Sequence, residues 1–186
     1  MFYAGVDFCI YVMKYVPECT VIDDNKKADY MADAYFLRAL YYSQMVAMWG
    51  PIPYNTEPVT VINNAPVRLP EAEVYGHILD DLKLSMENYK KANVMDGKSA
   101  TATGRAYYYS AEALYARVAL YAASWLGASS VSGHGNLYSE AQNAASDVIN
   151  NSGASFYSRF SDTWNMNNEE ATVNSENLFA VHYSND

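Results

Sequence analysis

The stretch that decides the fold is RALYYSQMVAMWGPIPYNTEP, Arg38–Pro58, which holds a helix and the signal that ends it. Apolar residues recur in this part of the chain at helical spacings of 4, 4 and 3: Leu37, Tyr41, Met45 and Met48. Gly50 can take a left-handed conformation, and Pro51 cannot continue a helix because it lacks a backbone N–H. The prolines that follow favour extended conformations, so residues 50–70 are predicted to form a stiff loop at the end of a helix.

Four other segments show the same helical period between turn signals. The five predicted helices are Phe2–Tyr15, a second from near Asp24 and Asn25 to Trp49, a third opened by Glu71 and Glu73, then Arg105–Ser124 and Leu137–Asn150. No run of residues predicts a sheet, and only a short extended segment, Leu178–Tyr183, follows the last helix. The predicted fold class is therefore all-α, with stacked helical hairpins, long loops and a short extended C-terminal segment.

Composition excludes several classes of partner. The formal net charge is -9, and the sequence has no cluster of Lys and Arg that could hold phosphates, so no nucleic acid is expected to bind. The spacing of Cys9 and Cys19 fits no zinc pattern. Two buried thiols are the favoured interpretation, and a disulfide is the alternative. The sequence predicts no metal site and no cofactor.

The ends of the chain bear on its extent. The first residues, MFYAGVDF, contain no export signal, and no apolar run approaches 18 residues. The chain is therefore either cytosolic or a piece of an exported protein. The extended segment Leu178–Tyr183 ends without a following strand, and this favours the second interpretation, a piece of an exported protein.

The sequence offers no catalytic constellation. Motifs such as HExxH and GxSxG are absent, and the histidines are scattered as surface or packing residues: His77, His134 and His182. The adjacent pairs Asp80/Asp81 and Glu169/Glu170 cannot act as a glycosidase pair, since neighbouring helical residues point about 100° apart. Arginines within apolar helices are interpreted as mostly buried guanidinium groups held by carboxylates: Arg38, Arg105 and Arg117.

Five blocks of the sequence, in order, resemble the SusD/RagB family, the surface glycan-binding lipoproteins of Bacteroidota nutrient-uptake systems. They are AYFLRALYYSQMVAMWGPIP, EVYGHILDDLK, GRAYYYSAEALYARVALYAA, LYSEAQNAASDVINNS and SENLFAVHY. The first is similar to the family pattern EA..LRA..Y..L...(F/Y)G.(I/V)P, and the third to GR.....A..ALLARVYLY. Family members are much longer, so residues 1–186 are interpreted as a fragment of a SusD-like domain that lacks the N-terminal signal and anchor and the C-terminal half.

The resemblance implies a fold of tetratricopeptide-like helix pairs and a protein without catalytic activity. It implies a place on the extracellular face of the outer membrane, where the helical side docks on a TonB-dependent, SusC-like transporter and loops hold an oligosaccharide. It also implies a lipid anchor, and neither Cys9 nor Cys19 lies in a suitable context for one. A helical-repeat adaptor that binds a protein partner is the alternative function.

Candidate sugar contacts are aromatic side chains beside polar ones, because sugars stack a flat C–H face on a ring while their hydroxyls need hydrogen-bond partners. Trp164 with Asn165 in the stretch FSDTWNMNNEE is the best constellation, and Tyr54 with Asn55 is the next. Trp125 is a further candidate. Trp49 and Trp125 both continue apolar helix faces, so packing is the favoured interpretation of these two residues.

Overall fold

The computed structural model describes residues 2–61, 65–95, 104–164 and 176–181, with the backbone alone for Thr163 and Trp164. Five α-helices lie in these ranges: α1 (Phe2–Tyr15), α2 (Asp24–Trp49), α3 (Glu71–Ala92), α4 (Tyr108–Leu126) and α5 (Leu137–Asn151). A short 3-10 helix, Phe160–Trp164, follows them. The described ranges contain no strand, so the predicted all-α class is confirmed.

The helices pack in chain order. Each of α1 to α4 packs against the helix that follows it, which makes a row of stacked helical hairpins, and the most extensive of these interfaces joins α2 to α3. One apolar core runs through the row, and its largest fully buried side chains include Tyr42, Tyr75 and Tyr89. The stacking predicted from the helical period is therefore confirmed.

Local chemistry sets the ends of α2. The Asp23 side chain accepts a hydrogen bond of 2.8 Å from the backbone N–H of Lys26, so Asp23 is the N-cap in place of the predicted Asp24 or Asn25. Gly50 has φ +68° and donates its N–H to the carbonyl of Val46, which ends the helix at the predicted residue. An antiparallel bridge between Ile52 and Leu69 closes the base of the loop that follows.

Helix α4 begins later than predicted. Tyr107 is extended and caps the helix together with Ser110, so the first helical residue is Tyr108 and not Arg105. Arg105 instead reaches back to α2, where its guanidinium donates hydrogen bonds to the carboxylates of Asp29 and Asp33. The predicted pairing of its guanidinium with carboxylates is confirmed, but the side chain is 39% exposed and lies before the helix, so its predicted burial within a helix is wrong.

Some side chains expected in the core are exposed or only half-buried. Arg117 is exposed on the outer face of α4. Met48, on the apolar face predicted for α2, is 56% exposed, whereas the neighbouring Met45 and Val46 are buried. Cys9 is buried, but Cys19 is only half-buried, and both thiols are free.

The C-terminal segment lies against the helices. Phe179 packs edge-on against Phe36 of α2 with ring centroids 5.0 Å apart, and the Ser110 hydroxyl donates to the carbonyl of Leu178. The predicted extended segment is therefore held by helices rather than by a neighbouring strand, as far as the described residues extend. No helix in those residues combines the length and the apolarity that a membrane crossing needs.

Candidate functional site

A buried ion pair joins α2 to α3 beneath the proline loop. Arg38 donates two hydrogen bonds to Asp81, Nε to Oδ2 at 2.8 Å and Nη2 to Oδ1 at 2.6 Å. Burial alone would lower the pKa of Arg38, but the hydrogen bonds from its guanidinium to Asp81 outweigh burial and raise it. The interpretation of Arg38 as a structural cation is confirmed.

The ion pair also fixes Tyr54, one of the predicted sugar contacts. The Tyr54 hydroxyl donates to Asp81 Oδ2 at 2.9 Å, and its ring stacks on Tyr42 at 4.4 Å and on His77 at 4.6 Å between centroids. Two rings this close must lie on opposite faces of Tyr54, which leaves neither face for a sugar. Burial, with the nearby Asp81 charge, raises the pKa of Tyr54, so its hydroxyl remains a donor. The structure thus corrects the prediction for Tyr54, because the ring fastens the loop to the core.

Asn55 has a matching backbone role. Its N–H donates to the Tyr42 hydroxyl at 2.7 Å, which secures the residue after Tyr54 to α2. The Asn55 side chain is half-buried at the start of the exposed loop. The side chain of Asn55 stays a candidate contact, whereas the ring of Tyr54 does not.

Trp125 presents a flat surface to solvent. It is 60% exposed, which overturns its interpretation as a packing residue, and its ring lies parallel to that of Tyr121 at 6.2 Å with 13° between the planes. The indole Nε1 donates to Glu71 Oε2 at 3.0 Å. The hydrogen bond orients the ring while much of its surface stays free.

Trp49 is the second exposed tryptophan, and its predicted burial is wrong. It is 56% exposed and meets Phe2 edge-on at 5.9 Å. It lines a cavity of about 480 Å³ together with Tyr3, Pro51 and the exposed Arg68. A cavity of this size, with aromatic walls and one cation, has the dimensions and lining typical of a small-molecule site.

The two tryptophans lie at the same end of the helix row. Glu71 begins α3, its Oε2 meets Trp125, and its Oε1 is so close to Gly50 that a Cβ added there would lie 2.9 Å away. The end of α2, the start of α3 and the end of α4 are therefore adjacent. We call the exposed residues Trp49, Tyr121 and Trp125, with the carboxylate of Glu71, the aromatic end surface.

The predicted contacts do not form one small site. Trp125 is bonded to Glu71 and Tyr54 to Asp81, which lie ten residues, or about 15 Å, apart along α3. Trp164 ends the 3-10 helix, and its side chain and Asn165 lie outside the described residues. Trp164 with Asn165 therefore stays a prediction.

Sequence reasoning missed Trp49, Tyr121 and Glu71 as site residues. The pair Tyr121 and Trp125 could have been found, since aromatic residues four apart share one helix face. Glu71 could not, because its role depends on a helix 54 residues further along the chain. Within the part of the chain that the structure describes, no group of three or more His, Cys, Asp or Glu residues could hold a metal ion.

Fold and site together define a helical-hairpin scaffold that exposes aromatic and charged side chains at one end. Residues 2–120 match the SusD-like family profile described as "Starch-binding associating with outer membrane", so the chain belongs to the SusD-like family. A SusD-like protein from Formosa agariphila is 25% identical over 169 residues, which are 89% of this chain and 28% of that protein. One from Bacteroides ovatus is 27% identical over 165 residues, or 87% of this chain and 28% of that protein.

Solved structures share the fold. NanU of B. fragilis superposes with a TM-score of 0.81 at 22% identity, over 99% of this chain and 34% of that chain. Surface glycan-binding protein A from Bacteroides fluxus superposes with a TM-score of 0.76 at 25% identity, over 96% of this chain and 34% of that chain. A structure that contains a xylogluco-oligosaccharide superposes with a TM-score of 0.78 at 25% identity, over 98% of this chain and 34% of that chain. The predicted tetratricopeptide-like architecture is confirmed, and the chain spans about a third of the length of these relatives.

Proposed function

We propose that the chain is part of a non-catalytic protein that binds oligosaccharides at the outer membrane, on its extracellular face, and delivers them to a TonB-dependent, SusC-like transporter. Membership of the SusD-like family supports glycan binding, as does the aromatic end surface. The oligosaccharide in the structurally similar protein supports the same class of ligand.

The observation that carries this proposal is the arrangement of Trp125. Its indole is oriented by Glu71 before any ligand arrives, so a sugar that stacks on it meets a preformed surface. The carboxylate of Glu71 is a strong acceptor for a sugar hydroxyl at the ring edge. Trp49 and Arg68, which line the cavity of about 480 Å³, supply a second ring and a donor. We propose the aromatic end surface as one contact region, and Trp164 with Asn165 as a second.

The test is a fluorescence titration of the chain with a panel of plant, host and microbial oligosaccharides. For a sugar that binds, Trp125→Ala is expected to weaken affinity about tenfold, which corresponds to the loss of one aromatic stack of about 1.4 kcal/mol. Trp49→Ala and Trp164→Ala test the other two positions. Tyr54→Phe is the matched control, because it removes a hydroxyl that is already used by Asp81 and leaves the exposed rings in place.

The outcomes separate the two candidate functions. If a sugar binds but none of the three tryptophan variants changes its affinity, the proposed contact regions are wrong. If no sugar binds this chain or a full-length version, the adaptor function is favoured. A sugar that binds only the full-length protein would keep the glycan function and move the contacts to other segments.

The outer face of α1 supports a protein partner on the helical side. Phe8 is 71% exposed and Tyr15 is 54% exposed, and Tyr11 stacks on Tyr15 with ring centroids 6.0 Å apart. Exposed aromatic residues grouped on one helix are typical of protein contact surfaces. We propose this face as a docking surface for the transporter. We expect the Phe8→Glu variant to lose co-purification with the transporter and to keep its sugar affinity. Co-purification that stays intact would contradict this docking surface.

A further inference from the structure

A second cavity, far from the aromatic end surface, lies between α3, α4 and α5. Its volume is about 390 Å³, and its lining includes Glu112, Glu140 and Asp147 together with Lys83 and Asn143. The cavity is lined by more carboxylates than cations, and it is within the size range of sites for small molecules. Glu112 precedes Trp125 by 13 residues on α4, a separation of about 20 Å.

Glu112 is the unusual group in this cavity. The residue is only 8% exposed, and its Oε1 accepts a hydrogen bond of 3.3 Å from the Tyr108 hydroxyl. Among the described residues, no N–H or O–H group donates to the buried Glu112 Oε2. Glu112 also forms a side-chain hydrogen bond with Asp147, and two carboxyl groups can form one only while a proton lies between them. A buried carboxylate oxygen without a donor is costly to a fold, so a donor from outside the chain would be well placed here.

Two other charged groups of the cavity, Glu140 and Lys83, are already engaged. Glu140 accepts from the N–H of Gly135 and from the Tyr115 hydroxyl, and Lys83 lies 3.8 Å from Glu140 Oε2. Lys83 Nζ is also 3.1 Å from His134 Nδ1, so this cation already has two partners, His134 and Glu140.

On the far side of Glu112, Lys90 lies over the Tyr108 ring at 4.7 Å. Asp147 accepts a hydrogen bond of 2.6 Å from Asn151 and approaches Glu112 with a second negative charge. The positive charge of Lys90 lowers the pKa of Glu112, but burial and Asp147 outweigh it, so two acidic groups share this one nearby cation.

We propose that Glu112 and Asp147 bind the primary ammonium group of a small ligand in this cavity, either a free aliphatic amine or an amino sugar. An ammonium group has three N–H donors and one positive charge, so it can satisfy Glu112 Oε2 and Asp147 at once. The inference does not rest on the proposed glycan function, because the cavity and the aromatic end surface share no residues.

Protons compete with this ligand. Burial, followed by the hydrogen bond to Asp147 and the charge of Asp147, raises the pKa of Glu112 to about 7, so an ammonium group would take the place of the proton that the two carboxyl groups share. At neutral pH the carboxyl group is therefore protonated in about half of the molecules. When the ammonium binds the protonated form, Glu112 releases its proton to solvent and the charge of the site is conserved. Affinity should consequently rise with pH, by about tenfold between pH 6 and pH 8, as the ionised fraction of Glu112 rises.

The experiment is a calorimetric titration of the chain with ethanolamine, and with ethylene glycol as its neutral counterpart of similar size. Ethanolamine is expected to bind, to bind more tightly at pH 8 than at pH 6, and to shift the backbone amide signals of Glu112 and Asp147 in NMR spectra. Glucosamine and N-acetylglucosamine at pH 7 form the second arm. Tighter binding of glucosamine than of ethanolamine would identify an amino sugar as the source of the ammonium, and equal binding a free amine.

Two variants decide the result. Glu112→Gln keeps the shape of the protonated group and should abolish ethanolamine binding and its pH dependence. Glu87→Gln makes the same charge change at an exposed position of α3 outside the cavity, and it should bind as the original chain does. Circular dichroism checks that both variants are folded. Ethanolamine that binds no better than ethylene glycol, or that binds Glu112→Gln undiminished, would overturn the proposal.

Discussion

Replacing Arg38 by methionine tests the most deeply buried charge in the structure. The side chains of Arg38 and Asp81 are 10% and 3% exposed, and two hydrogen bonds join them. Arg38→Met keeps much of the apolar stem but leaves Asp81 with a hydrogen bond from the Tyr54 hydroxyl and no cation. A buried carboxylate without its cation typically lowers the free energy of unfolding by about 3–5 kcal/mol. Single domains are stable by roughly 5–15 kcal/mol in total, so the variant should be close to unfolding.

The double variant Arg38→Met/Asp81→Leu separates the charge from the packing. It removes both ions at once, and apolar replacements of buried ion pairs are often neutral or stabilising. We therefore expect the double variant to be more stable than Arg38→Met alone. Arg117→Met is the matched control, since Arg117 is exposed on α4, and a change within about 0.5 kcal/mol is expected.

Urea unfolding followed by circular dichroism measures all four proteins, with the slope of each transition compared to confirm that the same surface is exposed. A loss below about 1 kcal/mol in Arg38→Met would show that Asp81 finds another partner. A double variant no more stable than the single one would refute the argument that the unpaired charge is the cause.

Three further perturbations follow from individual residues. Gly50→Ala should destabilise the chain by about 1 kcal/mol or more in urea, because φ is +68° there and the added Cβ meets Glu71; an unchanged midpoint would contradict this. Asp23→Ala should lower stability by about 1 kcal/mol through loss of the α2 cap, and Asp23→Asn should retain most of it. Because the folded pKa of Glu112 is raised to about 7 from 4.5, its protonated form stabilises the fold below about pH 4.5, and this stability is lost as pH rises to about 7. Glu112→Gln should remove that loss, so its urea midpoint should exceed that of the original chain at pH 8 but not at pH 5.

The helices were predictable because their signals are local. The ends of α1 and the start of α5 lie at the predicted residues, and α2 stops at Gly50 for the reason read from the sequence. The start of α4 was misplaced by three residues, at Arg105 instead of Tyr108. The helix begins at Tyr108 because Tyr107 caps it and because Arg105 is hydrogen-bonded to the carboxylates of Asp29 and Asp33 on α2. The apolar period of the sequence reveals neither of these interactions.

The candidate site was harder to predict, and two aromatic residues show why. Trp49 was expected in the core and is exposed, whereas Tyr54 was expected at the surface and is stacked between two rings. Periodicity identifies the apolar face of a helix, but it does not say at which turn the neighbouring helices end. The neighbouring helices do not cover Trp49, which is the last residue of α2. The proline loop places Tyr54 against Tyr42 of α2.

The distribution of arginines suggests where ligands can bind. Asp81, Asp29 and Asp33 are each paired with Arg38 or Arg105, so these carboxylates are committed to holding helices together. Neither Glu71, which orients Trp125, nor Glu112, which faces a cavity, is paired with an arginine. A carboxylate that the fold does not neutralise keeps its capacity to accept hydrogen bonds from a ligand.

Stability and binding should therefore respond to different acidic residues. Asp81→Asn is expected to destabilise the chain strongly, since it breaks a buried ion pair. Glu71→Gln should leave the urea midpoint nearly unchanged, because the amide oxygen can still accept from Trp125, while it weakens any sugar hydroxyl bond that needs a charged acceptor. Measuring the unfolding midpoint and the sugar affinity of both variants tests this division. If Glu71→Gln lowers the urea midpoint as much as Asp81→Asn does, Glu71 stabilises the fold. It would then not be a carboxylate that the aromatic end surface keeps for a ligand.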